Sequence, residues 1–285
     1  MNDKILRFEY LIKKNPLKAV HLIKKAIADE PQNYEYLLAL GLYLAKEERD
    51  SEAVKYLEKA KKITDLDASA SFTLALSYMR NEDYRLAIRA FKDTGEIYPE
   101  SIYNTAICYL NLGEADKAVI EARKLQDNEK LGQSALKLII DILLFTEQFK
   151  EEAIELALYE KRYGQDTYFH YVKGNHSYMR GNYLASAYHL SKISWDEVAP
   201  NVFLRKLAHS YRAIKQYNKA LDCYKAMENL DLSPSLYVLN YLDTLYILGE
   251  YEEVIKLAEK YEKDFTNKDT LKNVKAKAYY KLNLE

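Results

Sequence analysis

Two cysteines in 285 residues rule out a disulfide-stapled scaffold. Cys108 and Cys223 lie in distant parts of the chain, and each reads as a small buried hydrophobe. Glycine (eight) and proline (five) are scarce, as expected of a chain that is nearly all helix. No apolar run could span a membrane, and the opening MNDKILRFEY has no apolar core of signal-peptide length. The expectation is a cytoplasmic protein without membrane insertion. A net charge of -1 argues against a nucleic-acid partner held through phosphate neutralisation. Gly-rich phosphate loops, zinc-type Cys/His spacing and nucleophile elbows are all missing. His170 and His176 fall on different faces of a helix, and with His189 they read as surface or packing histidines. Glu151 and Glu152 read as an outward, solvated pair. With no convergent set of titratable groups, the chain is expected to be no enzyme and to need no metal or cofactor.

What is present is a repeating pattern, clearest from Ala68 to Ser101. Leu74, Ala75 and Tyr78 form one apolar stripe, and Ala87, Phe91 and Thr94 form a second. Both have helical spacing, and the polar turn Asn81-Glu82-Asp83 separates them. Pro99 stops the second helix. The Ala87 slot recurs as Ala19, Ala53, Ala118, Ala153, Ser186, Ala220 and Val254. The large residue one turn later recurs as Ile23, Leu57, Phe91, Ala122, Ala157, Leu190, Tyr224 and Ala258. A small residue marks the first helix as Gly41, Ala75, Ala106, Gly174 and Ala208, with Arg7, Asp141 and Leu242 departing from it. An aromatic follows the turn as Tyr84, Tyr183, Tyr217 and Tyr251, and a closing proline appears as Pro31, Pro99 and, a little late, Pro234.

Spaced at roughly 34 residues, these slots resemble those of the tetratricopeptide-repeat family over nearly the whole chain. The resemblance implies an all-α, right-handed α-α superhelix, a single solenoid over 1–285. Its repeats run at about 1–33, 34–67, 68–101, 102–131, 132–166, 167–200, 201–234 and 235–267, with a lysine-rich capping helix at 268–285. The fifth repeat is the most irregular, with Asp141 in the small slot and an extra residue between Phe149 and Ala153.

In this family the first helix of each repeat lines the concave surface, and the slot after the small residue points into it. That slot reads Phe8, Leu42, Leu76, Ile107 and Ile142, then Asn175, His209 and Asp243. Flanking inward slots agree: Leu38 and Ala45, Phe72 and Met79, Tyr103 and Leu110, Leu138 and Phe145. Three readings of the apolar stripe stand side by side. Superhelical curvature buries it as core, a partner's helix or extended segment fills it, or two copies of the chain interlock through it.

At the polar end, Arg205, His209 and Arg212 share one helix face, with Asn175 one repeat back and Asn240 one repeat on. The set is similar to the clamp by which some family members hold a peptide's C-terminal carboxylate. Arg205 and His209 would stand for its lysine and first asparagine, Asn240 for its second, with further basic residues from Lys272 or Lys275. Alternatively the patch is solvated, with Arg212 paired to Asp243. Tyr168, Tyr171 and Tyr178 flank it and offer apolar surface to a peptide side chain. The expected function is a non-catalytic module that takes a protein or peptide segment into its groove. The alternatives are a structural subunit or homo-oligomer with a permanently filled groove, and a peptide-sensing regulator.

Overall fold

The computed structural model describes residues 3–194, 196–263 and 268–283. The boundary expected at 267, between the eighth repeat and the capping helix, falls on residues outside that set. Among the described residues there is no strand. The first hairpins are α1 (Asp3–Ile12) with α2 (Pro16–Asp29), α3 (Tyr34–Lys46) with α4 (Asp50–Lys61), and α5 (Ala68–Arg80) with α6 (Tyr84–Lys92). They are followed by α7 (Pro99–Asn111), α8 (Ala115–Arg123), α9 (Gly132–Phe145) and α10 (Phe149–Tyr163). Then come α11 (Thr167–Met179), α12 (Tyr183–Leu190), α13 (Pro200–Ala213) and α14 (Tyr217–Asn229). A 3-10 turn (Pro234–Leu236) precedes α15 (Val238–Ile247), α16 (Tyr251–Tyr261) and α17 (Lys268–Leu282).

The chain divides into two compact units, 1–155 and 156–285, with the division inside α10. In the first unit α1 packs on α2, α3 on α4, α5 on α6 and α7 on α8, and each second helix packs on the first helix of the next hairpin. The second unit repeats this with α11 on α12, α13 on α14, α15 on α16, and α17 closing on α16. Within each unit, first helices also touch one another, α1 with α3, α3 with α5, and α11 with α13. Successive second helices make no comparable contact among the described residues. The first helices therefore form the inner row.

Local chemistry sets the boundaries. Side-chain oxygens of Asn15, Asn33, Asp67, Asp166 and Asn182 accept from backbone N–H groups one turn into the helices they cap, satisfying donors that the helix leaves orphaned. Proline opens helices more than it closes them. Pro16, Pro99 and Pro200 occupy the first helical position of α2, α7 and α13, where the missing amide costs nothing. Pro99 thus starts α7, and α6 ends earlier, at Lys92. Ser233 and Pro234 open the 3-10 turn and not α15, whose first residue is Val238.

Each hairpin turn from the second to the eighth contains one residue in the left-handed region: Glu48, Glu82, Gly113, Glu147, Gly181, Lys215 and Gly249. In six of these hairpins it lies seven residues beyond the small slot of the first helix, as Glu82 does from Ala75. Counting back from Glu147 places the fifth hairpin's slot at Ile140, which is fully buried, and not at Asp141. The extra residue inferred between Phe149 and Ala153 does not exist. The second-helix slot is Glu152, which is 0% exposed where other hairpins bury Ala, Ser or Val, while Ala153 and Ala157 are exposed. Glu152 is therefore not outward and solvated, although Glu151 is exposed. Beside it, Glu155 accepts from Arg123 Nη2 at 2.8 Å and Gln126 Nε2 at 2.9 Å, tying α10 to the end of α8.

Cys108 and Cys223 are free and buried, and burial pushes their thiols up to about 11 and about 12. The small slots allow close helix approach. A Cβ on Gly41 would lie 2.7 Å from Leu57 Cγ, and one on Gly174 would lie 2.4 Å from Leu190 Cδ2. Gly174→Leu is expected to destabilise the chain by about 1–3 kcal/mol through overpacking. Lys215→Gly, relieving a φ of 60°, is expected to stabilise it by about 1 kcal/mol. Urea denaturation of the full chain reads both.

Candidate functional site

In the first unit, inner-row side chains on α3, α5 and α7 form a continuous apolar strip. Leu38 and Leu42, Phe72, Leu76 and Met79, and Tyr103, Ile107 and Leu110 are all half-buried. One flank of each packs on the core beneath. The Phe72 ring lies 5.8 Å from that of Phe91 and 5.0 Å from that of Tyr98, which pins its orientation. Ala45 is buried at the edge of the strip.

The strip is shorter than the repeat pattern suggested. Phe8 is 2% exposed and packs edge-on against Tyr43 at 6.0 Å, so it belongs to the core of the first hairpins. Leu138 and Ile142 are also core, Ile142 at 2% exposed. Phe145 is 84% exposed, one position beyond the inward slot. The physical reason is the one-residue register of the fifth hairpin: a 100° step around a helix exchanges inward for core positions. Its inward slots hold Lys137, Asp141 and Leu144, so charge interrupts the strip at α9. Sequence reasoning missed these three. The signal that finds them is Phe149, nine residues after Ile140 as Tyr84 is after Ala75 and Tyr183 after Gly174.

In the second unit the inward slots are polar and largely engaged with one another. Asn175 is 2% exposed. Its Nδ2 donates to the Tyr171 carbonyl at 2.9 Å and its Oδ1 accepts from Lys206 Nζ. It is therefore not displayed for a peptide backbone. Arg212 donates to Asn240 Oδ1 at 2.5 Å and pairs with Asp243. The exposed His209 ring stands between Tyr178 (5.5 Å) and Tyr183 (5.3 Å), edge-on to both. Tyr168 and Tyr171 are half-buried, Tyr168 against Tyr159 at 5.1 Å. Arg205 is exposed and forms no ion pair among the described residues. Lys272 lies 3.8 Å from Asp269 and Lys275 3.4 Å from Glu259. Of the clamp-like set, Arg205 and His209 are exposed and outside any ion pair. Burial and the neighbouring Arg205 charge hold the Lys206 ammonium below its usual range.

Beneath this surface, His170 on α11 and His189 on α12 meet Nδ1 to Nδ1 at 3.0 Å. One ring must donate and the other accept. Burial lowers the His170 pKa, with Lys192 adding to it and Asp166 opposing. Burial also lowers that of His189, with His170, Lys173 and Lys192 adding and Glu160 opposing. The pair is a packing contact, as expected. Among the described residues, no group of three or more His, Cys, Asp or Glu side chains is placed to hold a metal ion. No helix among them is long and apolar enough to cross a membrane.

The family profile for the tetratricopeptide repeat matches residues 13–69 and 72–131. No curated protein matches the chain in sequence. Among solved structures, a tetratricopeptide repeat protein from Parabacteroides merdae ATCC 43184 superposes with a TM-score of 0.58 at 16% identity, covering 86% of this chain and 98% of that one. Cut9 with Hcn1, an APC/C hetero-tetramer, gives 0.51 at 12% identity over 92% of this chain and 52% of the other. MamA gives 0.50 at 20% identity over 58% of this chain and 94% of the other.

The histidine pair predicts a pH dependence. Both folded-state pKa values lie below the unfolded value of about 6.5, so the folded state binds fewer protons there. Stability is full above about pH 7 and falls as pH drops through about 6.5. Urea midpoints between pH 8 and 5 should show the fall, and His189→Gln should flatten it.

Proposed function

We propose that this chain, whose residues 13–69 and 72–131 match the tetratricopeptide-repeat profile, is a non-catalytic interaction module that takes a segment of another protein against its inner helix row. The observation that carries this reading is the strip of eight half-buried apolar side chains on α3, α5 and α7. Soluble monomers rarely leave contiguous apolar surface of that kind without a use. The strip supplies affinity by apolar burial at roughly 25 cal/mol per Å². Within the second unit, the polar face of α13, with Arg205 and His209 exposed, offers a separate set of donors suited to an acidic group. The Cut9 neighbour, itself part of a hetero-tetramer with Hcn1, is an instance of this fold working by association.

Leu76→Glu places a carboxylate in the middle of the strip on a half-buried position. Capture of partner proteins from a lysate of the source cell is expected to drop at least tenfold, with helicity by circular dichroism unchanged. Undiminished capture by a folded Leu76→Glu variant rules the strip out as the binding surface. A dilute-solution size measurement separates the self-filled alternative, which requires a dimer.

A further inference from the structure

We infer that the segment received by the strip on α3, α5 and α7 is an amphipathic α-helix with basic residues along one edge, and not an extended strand. This rests on the interaction reading above and specifies its partner.

The strip is poor in polar side-chain atoms. Of its members, Leu38, Leu42, Phe72, Leu76, Ile107 and Leu110 carry no hydrogen-bonding side-chain atom. Its own backbone groups are engaged inside helices, and the described residues offer no strand edge to extend. An extended peptide laid there would lose water from its N–H and C=O groups and find no replacement, which buried backbone does not tolerate. A helix brings its backbone bonds with it and presents side chains alone. The polar inward groups of the second unit do not alter this, because Asn175, the residue type suited to gripping a backbone, is buried and doubly bonded.

Dimensions agree. The inward slots of each helix, such as Leu38 to Ala45, span about 10 Å at 1.5 Å per residue. α3 packs on α5, and α7 follows as the next first helix of the row, packed on α6; at about 10 Å per helix the three give a strip of about 30 Å, the length of a helix of about 20 residues. Such a helix reads the strip with apolar residues at i, i+3, i+4 and i+7.

Charge fixes the edge. Glu35 in the first turn of α3, Asp67 capping α5 and Glu100 in the first turn of α7 set one exposed carboxylate per hairpin along the same rim. None of the three forms an ion pair among the described residues. On the opposite rim Arg80 is held by Asp50 at 2.7 Å. A partner helix is therefore best matched with Lys or Arg on the edge facing Glu35 and Glu100.

The test pans two displayed peptide libraries on the full chain. One has apolar residues fixed at helical spacing; the other has them at alternating spacing with proline inserted. Leu76→Glu and Leu110→Glu, each checked for native helicity, serve as counter-selections, so that one misfolded variant does not decide the outcome. The expected result is enrichment from the helical library alone. Its binders should gain helicity on binding, carry Lys or Arg on one edge and weaken at least tenfold on both variants. Glu35→Lys with Glu100→Lys should weaken them at least fivefold. If strip-dependent binders come from the extended library, the helical inference is wrong and the interaction reading stands. If neither library yields binders sensitive to the two variants, both are wrong. Indifference to Glu35→Lys with Glu100→Lys overturns the basic edge.

Discussion

The structure depends on how closely the two helices of a hairpin approach. Gly41 against Leu57 and Gly174 against Leu190 leave no room for a Cβ. The equivalent alanines, Ala75, Ala106 and Ala208, are completely buried. When the backbones meet here, a large residue from the second helix fills the notch above the small one, and the next hairpin closes over both. Each buried Leu or Phe at this seam contributes on the order of 1.5–3 kcal/mol. No hairpin has enough surface to bury its seam alone, so the repeat pattern follows from the seam. The same seam aims the inner row, because fixing one face of a first helix in the core fixes which side chains remain outside.

The fifth hairpin shows what that coupling means for the binding surface. Its seam holds Ile140 and a buried Glu152 in place of small residues, so composition no longer marks the register. The turn geometry does: Glu147 takes the left-handed conformation at the position where Gly113 and Gly181 take it in the hairpins on either side. A shift of one residue turns Leu138 and Ile142 from wall into core and places Asp141 on the surface. The apolar strip therefore belongs to three hairpins, a compact patch and not a continuous wall.

The second unit spends its polarity internally. Lys206 with Asn175, and Arg212 with Asn240 and Asp243, link successive hairpins through side chains that a sequence reading would offer to a ligand. The Arg212–Asp243 ion pair adds little stability, but together with the buried Asn175 contact it links α11, α13 and α15 side chain to side chain and leaves Arg205 and His209 exposed. The His170–His189 contact adds a hydrogen-bonded pair to the α11–α12 seam that resists protonation chiefly because it is buried, with Lys192 adding to the effect.

The amino-acid order by itself determined the helical hairpins, their small-and-large seam and most of their phase, because helix periodicity and backbone approach are local properties that recur in each copy. It also placed Leu42, Leu76 and Ile107 together on one side, and it marked Cys108 and Cys223 as interior. Only the tertiary structure decided that Phe8 is core, that Asn175 is closed off, and that Pro99 begins a helix. It also decided that the fifth hairpin reads from Ile140 and Glu152. Burial and pairing depend on neighbours many residues away, and a single-residue phase difference is invisible where the marker residues have been replaced.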